Sequence, residues 1–212
     1  MHPSNQCPLC DSTDLIVYHE DSKRLYKQCE HCELVFVPSP FWLRLEQEKQ
    51  VYDLHENHVH DHGYQKFLSR LAKPLLERLK SHSKGLDFGC GPGPALQFML
   101  QQSGHEVCLY DLHYYPCTNV LDTQYDFICA TEVVEHLKSP RETFLQIKRC
   151  LKPDAIFAVM TQLVINAERF AKWRYIQDPT HLCFFNVRSL SYAAELMDRK
   201  LEHVDRDVIF IR

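Results

Sequence analysis

The chain has 212 residues, of which 45% are apolar and 25% are charged, and its formal net charge is −4 at pH 7. These values match those of ordinary globular proteins and exclude a disordered or fibrous chain. The slightly acidic balance also argues against nonspecific binding to nucleic acid, which needs a basic surface.

The sequence contains no run that approaches the roughly 18 apolar residues of a membrane span. Its first residues, MHPSNQCPLCDSTD, lack the basic and then apolar segments of a secretory signal. We therefore expect a cytoplasmic protein in a reducing compartment. Its ten cysteines are then thiols or metal ligands rather than disulfides.

Four cysteines near the N-terminus have the spacing of a structural zinc site. The pattern is C-x2-C-x18-C-x2-C, and the intervening segment contains two strand-like stretches, LIVYH and LYKQC, around the polar turn EDSKR. This pattern predicts a zinc ribbon over residues 1–37, which depends on its metal for folding. A redox-active pair of dithiols is the alternative. The predicted ligands are Cys7, Cys10, Cys29 and Cys32.

Two prolines, Pro38 and Pro40, interrupt the pattern after the ribbon and begin a polar segment. We predict a linker over residues 38–63. It is rich in histidine, which could indicate a metal site, but we favour a solvated or substrate-facing loop. The histidines are His55, His58, His60 and His62.

From Tyr64 onward, helical and strand-like patterns alternate. The segment YQKFLSRLAKPLLERLKSH has the apolar spacing of an amphipathic helix, which Pro74 should kink or end. The alternation predicts an α/β domain over residues 64–212, with a Rossmann-like, doubly wound, mostly parallel sheet and an antiparallel C-terminal hairpin. The later helices are PALQFMLQQSG, PRETFLQIKRCL and VRSLSYAAELMDRK. The strands are GLDFGC, HEVCLYD, residues 117–121, YDFICAT, AIFAVMTQ and both halves of LEHVDRDVIFIR.

A glycine-rich turn, LDFGCGPG at residues 86–93, closes the first strand of this domain. In open α/β sheets, ligands bind beyond the carboxyl ends of the strands, and glycine lets the backbone approach them closely. Asp111 ends the next strand about 20 residues later, where a carboxylate can accept both hydroxyls of a ribose. These features together predict a nucleotide-like cofactor.

The spacing D-x-G-x-G-x-G differs from the G-x-G-x-x-G of dinucleotide enzymes and resembles motif I of class I S-adenosylmethionine-dependent methyltransferases. YDFICATEVVEHLKSP resembles the fourth strand and following loop of that family, and FLQIKRCLKPDAIFAVMT resembles its next helix, turn and strand. The chain departs from the usual PGG turn with Pro153-Asp154-Ala155. The resemblance covers residues 64–212 and implies methyl transfer from S-adenosylmethionine.

The resemblance also implies which residues bind the cofactor. Its methionine part would lie along the glycine turn with its amino group at Asp87, its ribose at Asp111 and its adenine beside Leu112. Cys90 needs no role as a nucleophile, because methyl transfer from a sulfonium is a direct displacement. The implied cofactor-binding residues are Asp87, Gly89, Cys90, Gly91, Gly93, Asp111, Leu112, Thr131 and Glu132.

A second cluster is indicated by the block EVVEH at residues 132–136 and by His181 in a later loop. If the block begins a helix, Glu132, Glu135 and His136 share one face. The block resembles that of ubiquinone-pathway O-methyltransferases and small-RNA 2′-O-methyltransferases, in which such residues can bind Mg²⁺ beside the acceptor hydroxyl. Three interpretations stay open: a divalent ion at these residues, a metal-free catalytic group formed by His136, His181 and Glu135, or purely structural roles.

Aromatic residues surround His181 in the sequence. Trp173, Tyr175, Phe184 and Phe185 could line a pocket for a planar or lipid-like acceptor, or belong to the core. We predict methyl transfer to a small molecule, with a hydroxyl oxygen as first choice. A nucleic-acid or protein methyltransferase that grips its substrate with the ribbon is an alternative, although the ribbon has few basic residues. A noncatalytic scaffold is another, and the glycine spacing disfavours an NAD-dependent oxidoreductase.

Overall fold

The computed structural model describes residues 5–54 and 58–212. Within this part of the chain, no helix combines the length and apolar character needed to cross a bilayer. The strands of the described residues are β1 (Leu15–Glu20), β2 (Leu25–Cys29), β3 (Val35–Phe36), β4 (Lys84–Phe88), β5 (Glu106–Tyr110), β6 (Tyr125–Thr131), β7 (Leu151–Met160), β8 (Cys183–Phe184), β9 (Leu201–Asp205) and β10 (Val208–Ile211). The α-helices are α1 (Leu45–Tyr52), α2 (His62–Leu76), α3 (Ala95–Gln102), α4 (Pro140–Cys150), α5 (Ala167–Ala171) and α6 (Val187–Leu196).

The central sheet has the strand order β5-β4-β6-β7-β10-β9. Strands β4 to β7 are parallel to one another, and β10 lies antiparallel between β7 and β9. The predicted α/β fold, with a mostly parallel sheet and a C-terminal hairpin, is confirmed. The antiparallel strand is inserted next to β7 rather than added at the edge of the sheet.

Helices cover both faces of this sheet, because successive residues of each buried strand point to opposite sides. On one face, α2 and α3 pack their leucines against Phe127 of β6 and Phe210 of β10. On the other face, α4 and α6 pack against Ile128 of β6. The result is the helix–sheet–helix layering that the alternating pattern predicts.

One predicted strand is wrong. Residues 117–121 do not pair with the sheet, and Thr118–Asp122 forms a 3-10 turn instead. Side chains bind its carbonyls: the Tyr125 hydroxyl donates to Val120 O at 2.8 Å and the Cys150 thiol donates to Leu121 O at 3.0 Å. These bonds satisfy the backbone without a neighbouring strand.

The segment predicted as a linker contains regular structure. It includes a 3-10 turn at Ser39–Phe41, all of α1 and the first residues of α2. Residues 55–57 of this segment, and with them His55, lie outside the described residues. Side chains of α1 and of the residue after it reach across to the α/β domain, because Glu48 pairs with Lys138 and Asp53 accepts from the Tyr114 hydroxyl at 2.7 Å.

The ribbon strands form a second sheet of order β1-β2-β3-β8. Its last strand comes from the α/β domain, because Val35 pairs with Phe184 and Phe36 with Cys183. The two regions also share one apolar core, in which ribbon residues such as Leu9 and Leu34 are fully buried. The ribbon is therefore built into the α/β domain rather than tethered beside it.

Candidate functional site

A cavity of about 740 Å³ opens at the carboxyl ends of the parallel strands. It lies at the ends of β4, β5 and β6, where ligands of open α/β sheets bind. Most of the predicted site residues line this single cavity. These are Gly89, Cys90, Gly91, Asp111, Leu112, Thr131, Glu132, His136 and His181.

The glycine turn has two glycines that no other residue could replace without strain. Gly89 has φ +76°, and a Cβ built there would lie 2.5 Å from the Val133 side chain. Gly91 has φ +63°, and a Cβ there would meet nothing within 4 Å. Gly89 therefore allows close packing behind the turn, whereas Gly91 leaves its backbone open to the cavity.

Asp111 is fixed beside this turn by backbone amides. One carboxylate oxygen accepts from Gly91 N at 3.0 Å, and the other accepts from His113 N at 2.8 Å and Tyr114 N at 3.1 Å. A carboxylate has further lone pairs beyond these three bonds. Asp111 can therefore accept hydroxyl donors from a ligand without losing the contacts that orient it.

Asp87 lies beneath the turn rather than on the cavity wall. It is 2% exposed and its carboxylate accepts from the backbone amide of Gln97, at the N-terminal end of α3. Burial, with a smaller contribution from the Asp111 charge, raises the pKa of Asp87 to about 7. A cation placed near this carboxyl would favour its charged form.

Glu132 has an unusual backbone conformation at the end of β6. Its φ is +53°, and its amide donates to Met160 O at 2.8 Å. Such a conformation costs about 1 kcal/mol or more in a residue other than glycine and is concentrated at functional sites. Its carboxylate accepts from the Tyr175 hydroxyl at 3.3 Å, and burial raises its pKa.

Glu135 is fully buried and does not reach the cavity wall. Its carboxylate accepts from the Tyr175 hydroxyl and from the Thr161 hydroxyl, the latter at 3.0 Å. Burial and the nearby charge of Glu132 raise the pKa of Glu135. Its backbone carbonyl also accepts from Leu182 N at 2.7 Å, so Glu135 anchors the loop that carries His181.

The predicted helical face at residues 132–136 is wrong. A 3-10 turn, Val134–His136, follows β6, and the next α-helix starts only at Pro140. Proline disfavours helical geometry in the residue before it, which delays the helix. Three of the four predicted ion ligands nevertheless come together, because one ligand atom each of Glu135, His136 and His181 lies within 4.8 Å of the others, whereas Glu132 lies outside this group.

The two histidines share a defined orientation. Nδ1 of His136 lies 3.1 Å from Thr180 O, and Nδ1 of His181 lies 2.8 Å from Tyr175 O. A carbonyl only accepts hydrogen bonds, so in the neutral rings Nδ1 carries the proton and Nε2 carries the lone pair. The ring centroids are 4.7 Å apart. This arrangement suits either a proton acceptor or a pair of metal ligands.

The aromatic residues around His181 divide between cavity and core. Tyr175 lines the cavity, and Trp173 stacks on it with ring centroids 4.8 Å apart. Phe184 and Phe185 are fully buried and do not line the cavity, so of the two interpretations left open for them the core is the correct one. They pack against other aromatic rings of the core instead, Phe185 against Phe144 at 6.0 Å among them.

Sequence reasoning missed one wall of the cavity. Glu48 and Tyr52 of α1 line it, together with Tyr64 and Phe67 of α2. The Tyr52 ring lies 5.3 Å from the ring of His136. Two signals were present: the polar character of residues 38–63, interpreted as a solvated or substrate-facing loop, and the apolar spacing of α2, which indicated a helix rather than a site.

The four N-terminal cysteines form a second cluster. Their sulfurs all lie within 4.8 Å of one another, with Cys7 and Cys32 at 3.5 Å and Cys10 and Cys29 at 3.4 Å. Four thiols converging on one point suit a single tetrahedral ion. The redox alternative needs each C-x2-C pair to act as a separate dithiol. The shortest sulfur distances instead connect a cysteine of the first pair with a cysteine of the second.

The two turns that carry these cysteines have the same backbone geometry. Asp11 N donates to Cys7 O at 3.0 Å, and Glu33 N donates to Cys29 O at 2.9 Å. Asp11 and Glu33 both have φ +60°. The repeated geometry presents each pair of sulfurs in the same way and fits a zinc ribbon.

Comparisons with known proteins agree with this fold. A family model described as a methyltransferase domain matches residues 60–204. The 1,6-didemethyltoxoflavin-N1-methyltransferase of Burkholderia thailandensis, solved with S-adenosylhomocysteine, is 16% identical at a TM-score of 0.53, covering 91% of this chain and 96% of that one. A chain from the complex containing the Haloferax volcanii Trm112 methyltransferase activator is 15% identical at a TM-score of 0.52, covering 76% and 78%. No curated protein gives a significant match.

Proposed function

The chain belongs to the methyltransferase-domain family, and on that basis we propose that it is an S-adenosylmethionine-dependent enzyme that methylates a small molecule at a hydroxyl oxygen. The observation that carries this proposal is the single cavity, which brings the glycine turn and Asp111 together with His136 and His181. One set of residues can hold a methyl donor, and the other can receive a proton.

For the cofactor, we propose that Asp111 accepts the ribose hydroxyls and that Leu112, which is 58% exposed, covers the adenine. Asp87 receives the charge of the amino group, directly or through water. The bound cofactor supplies an electrophilic methyl group on a sulfonium. The remaining contacts along its methionine part come from the cavity-lining residues Gly89, Cys90, Gly91, Thr131 and Glu132, whereas Gly93, which was predicted with them, does not line the cavity.

For the acceptor, we propose that Nε2 of His136 or His181 takes the hydroxyl proton as the methyl group is transferred. Glu135 supports this step without touching the acceptor, since it is buried and already bound by Tyr175 and Thr161. Holding donor and acceptor in line supplies most of the rate enhancement.

A divalent cation is a second candidate for the acceptor side. Its support is the grouping of Glu135, His136 and His181 within 4.8 Å. Such an ion would lower the pKa of the acceptor hydroxyl. Turnover measured after chelation, with and without added Mg²⁺, distinguishes a histidine base from a bound cation. A histidine base works without metal, so chelation leaves turnover unchanged. An ion-assisted reaction stops after chelation and resumes when Mg²⁺ is added.

For the cysteine cluster, we propose one structural Zn²⁺ at Cys7, Cys10, Cys29 and Cys32. Four thiolates leave no open coordination position, so this ion takes no part in the chemistry. The other six cysteines form no disulfide among the described residues, which suits a reducing compartment, and we propose the cytoplasm.

The experiment that tests the proposed function is calorimetric titration of S-adenosylmethionine, followed by methyl transfer from labelled donor. Phenolic small molecules, RNA and a protein mixture serve as acceptors in parallel. Labelled small molecules would support the proposal, and labelled RNA or protein would favour a macromolecular acceptor. If folded protein binds no S-adenosylmethionine, the domain is a noncatalytic scaffold.

A further inference from the structure

We infer that the ribbon holds the acceptor side of the cavity in place, and that Arg24 is the positioning residue through which it acts. The acceptor loop is defined here as residues 174–184. This inference rests on the proposed function, because it concerns the part of the cavity assigned to the methyl acceptor.

Arg24 lies in the turn between β1 and β2 and is only 7% exposed. Its guanidinium donates to three backbone carbonyls of the acceptor loop. Nη1 donates to His181 O at 3.0 Å, and Nη2 donates to Asp178 O at 2.9 Å and also to Ile176 O. Nε donates to the Tyr26 hydroxyl at 3.2 Å. One ribbon side chain thus ties together three points of a loop more than 150 residues away.

The guanidinium is itself held in position within the ribbon. Asp21 accepts from the Arg24 amide at 2.8 Å and from the Tyr26 hydroxyl at 3.0 Å. A buried cation is costly unless its donors are satisfied. The planar fork of arginine satisfies them only when the loop carbonyls converge on it, so its burial favours this loop conformation over others.

The carbonyls that Arg24 binds belong to the functional part of the loop. His181 is a proposed proton acceptor, Asp178 lines the cavity, and Ile176 directly follows Tyr175. Tyr175 in turn accepts from the His181 ring through its carbonyl and shares its one hydroxyl proton between the carboxylates of Glu135 and Glu132. A shift of this loop would therefore move Tyr175 and the His181 ring together.

The ribbon holds the far end of the same loop by strand pairing. Val37 N donates to Leu182 O at 2.8 Å, and β3 pairs with β8 immediately after it. The glycine turn and Asp111 stand on different elements, at the ends of β4 and β5. Loss of Arg24 should therefore disturb the acceptor side and spare cofactor binding.

The chain offers a matched control in Arg141 of α4. This arginine also joins the α/β domain to the ribbon, since it pairs with Asp11 at 3.0 Å and donates to Leu9 O at 3.4 Å. Arg141 binds the turn that carries Cys7 and Cys10 rather than the acceptor loop. Comparing Arg24→Met with Arg141→Met separates loop positioning from a general loosening of the ribbon.

The experiment measures amide hydrogen exchange of residues 174–184 in the full-length, zinc-loaded protein. Trp173 fluorescence in a Trp42→Phe background gives a second readout, because Trp173 stacks on Tyr175. We expect Arg24→Met to speed exchange across the loop on the order of tenfold or more and to shift the fluorescence. Zinc content should stay at that of the wild type, and the Kd for S-adenosylmethionine should change by less than about threefold.

Arg24→Lys is a second variant that keeps the charge. A single ammonium cannot span three carbonyls, so we expect only partial protection of the loop. Full protection in Arg24→Lys, unchanged exchange in Arg24→Met, or equal loosening in Arg141→Met would each overturn the inference. Failure of the wild-type protein to bind S-adenosylmethionine would instead overturn the proposed function, and the exchange result would stand on its own.

Discussion

The two halves of the cavity are built in different ways. The proposed cofactor half, from the glycine turn to Asp111, is assembled at the ends of adjacent strands and held by backbone amides within 20 residues of Asp111. The proposed acceptor half draws on α1, the turn after β6 and the acceptor loop, and ribbon side chains bind it across more than 150 residues. A local motif can specify the first half, whereas only the whole fold specifies the second.

The largest expected effect is that of removing the proposed zinc site. We expect Cys29→Ser to destabilise the protein by about 4 kcal/mol or more, because a zinc ion bound there would supply folding energy and the ribbon shares its core with the α/β domain. Zinc content per chain and urea unfolding measure this. Cys117→Ser, at an exposed cysteine, is the control. Unchanged zinc content in Cys29→Ser would contradict the site.

A smaller effect, confined to the cofactor half, is expected from Asp111→Ala. Removing hydrogen bonds to a charged group costs about 1.5–3 kcal/mol. The Kd for S-adenosylmethionine should therefore rise roughly 10- to 100-fold. Asp154→Ala, at an exposed position near the start of β7, serves as the control in the same calorimetric titration. Equal affinity in the two variants would remove Asp111 from the cofactor site.

Two variants of the glycine turn separate the cost of a side-chain clash from the cost of the backbone conformation alone. Gly89→Ala should cost about 2 kcal/mol of stability, because its Cβ would meet Val133 and its φ is positive. Gly91→Ala should cost about 1 kcal/mol, since only the positive φ opposes it. Thermal unfolding measures both.

A second substitution tests whether the contact with Val133 causes the loss of stability in Gly89→Ala. Gly89→Ala combined with Val133→Ala should recover part of the lost stability, because the shorter side chain relieves the contact. No recovery in the double variant would show that the packing account of Gly89 is wrong.

A further effect concerns pH. The pKa of Asp87 is raised to about 7 in the folded protein, so the native state binds more protons than the unfolded state between about pH 4 and pH 7. Stability from this group is present below about pH 4 and is lost as pH rises to about 7. Affinity for S-adenosylmethionine should change the other way, rising about tenfold from pH 6 to pH 8 as Asp87 becomes charged.

Asp87→Asn tests this assignment by removing the titrating group. The variant should bind the cofactor more weakly at pH 8 and show a flatter dependence of both affinity and stability on pH. Calorimetry at the two pH values and urea unfolding across the range provide the measurements. A variant that keeps the full pH dependence would assign it to another group, such as Glu132.

Much of the α/β fold could be predicted because its signals are local. Alternating apolar periods gave the strands and helices, and the spacing of Asp87, the glycines and Asp111 gave one half of the cavity. The C-x2-C pairs likewise indicated where four sulfurs would meet. In each case, residues close in sequence or in a repeated motif carry the information.

The rest depended on contacts between distant segments. The α1 sequence, LEQEKQVY, is mostly polar, and nothing local shows that Glu48 and Tyr52 face a cavity. Arg24 looks like an ordinary basic residue in a polar turn until the fold brings the loop carbonyls to it. The spacing of residues 132–136 suggested a helix, but the proline at position 140 sets where the helix begins.

The most direct test of this account is hydrogen exchange of the full-length, zinc-loaded protein with and without S-adenosylmethionine. The bound cofactor should protect residues 89–93 and 110–114 and leave exchange in residues 174–184 largely unchanged. Binding that protects the acceptor loop while residues 89–93 and 110–114 exchange as before would contradict the division of the cavity into two halves.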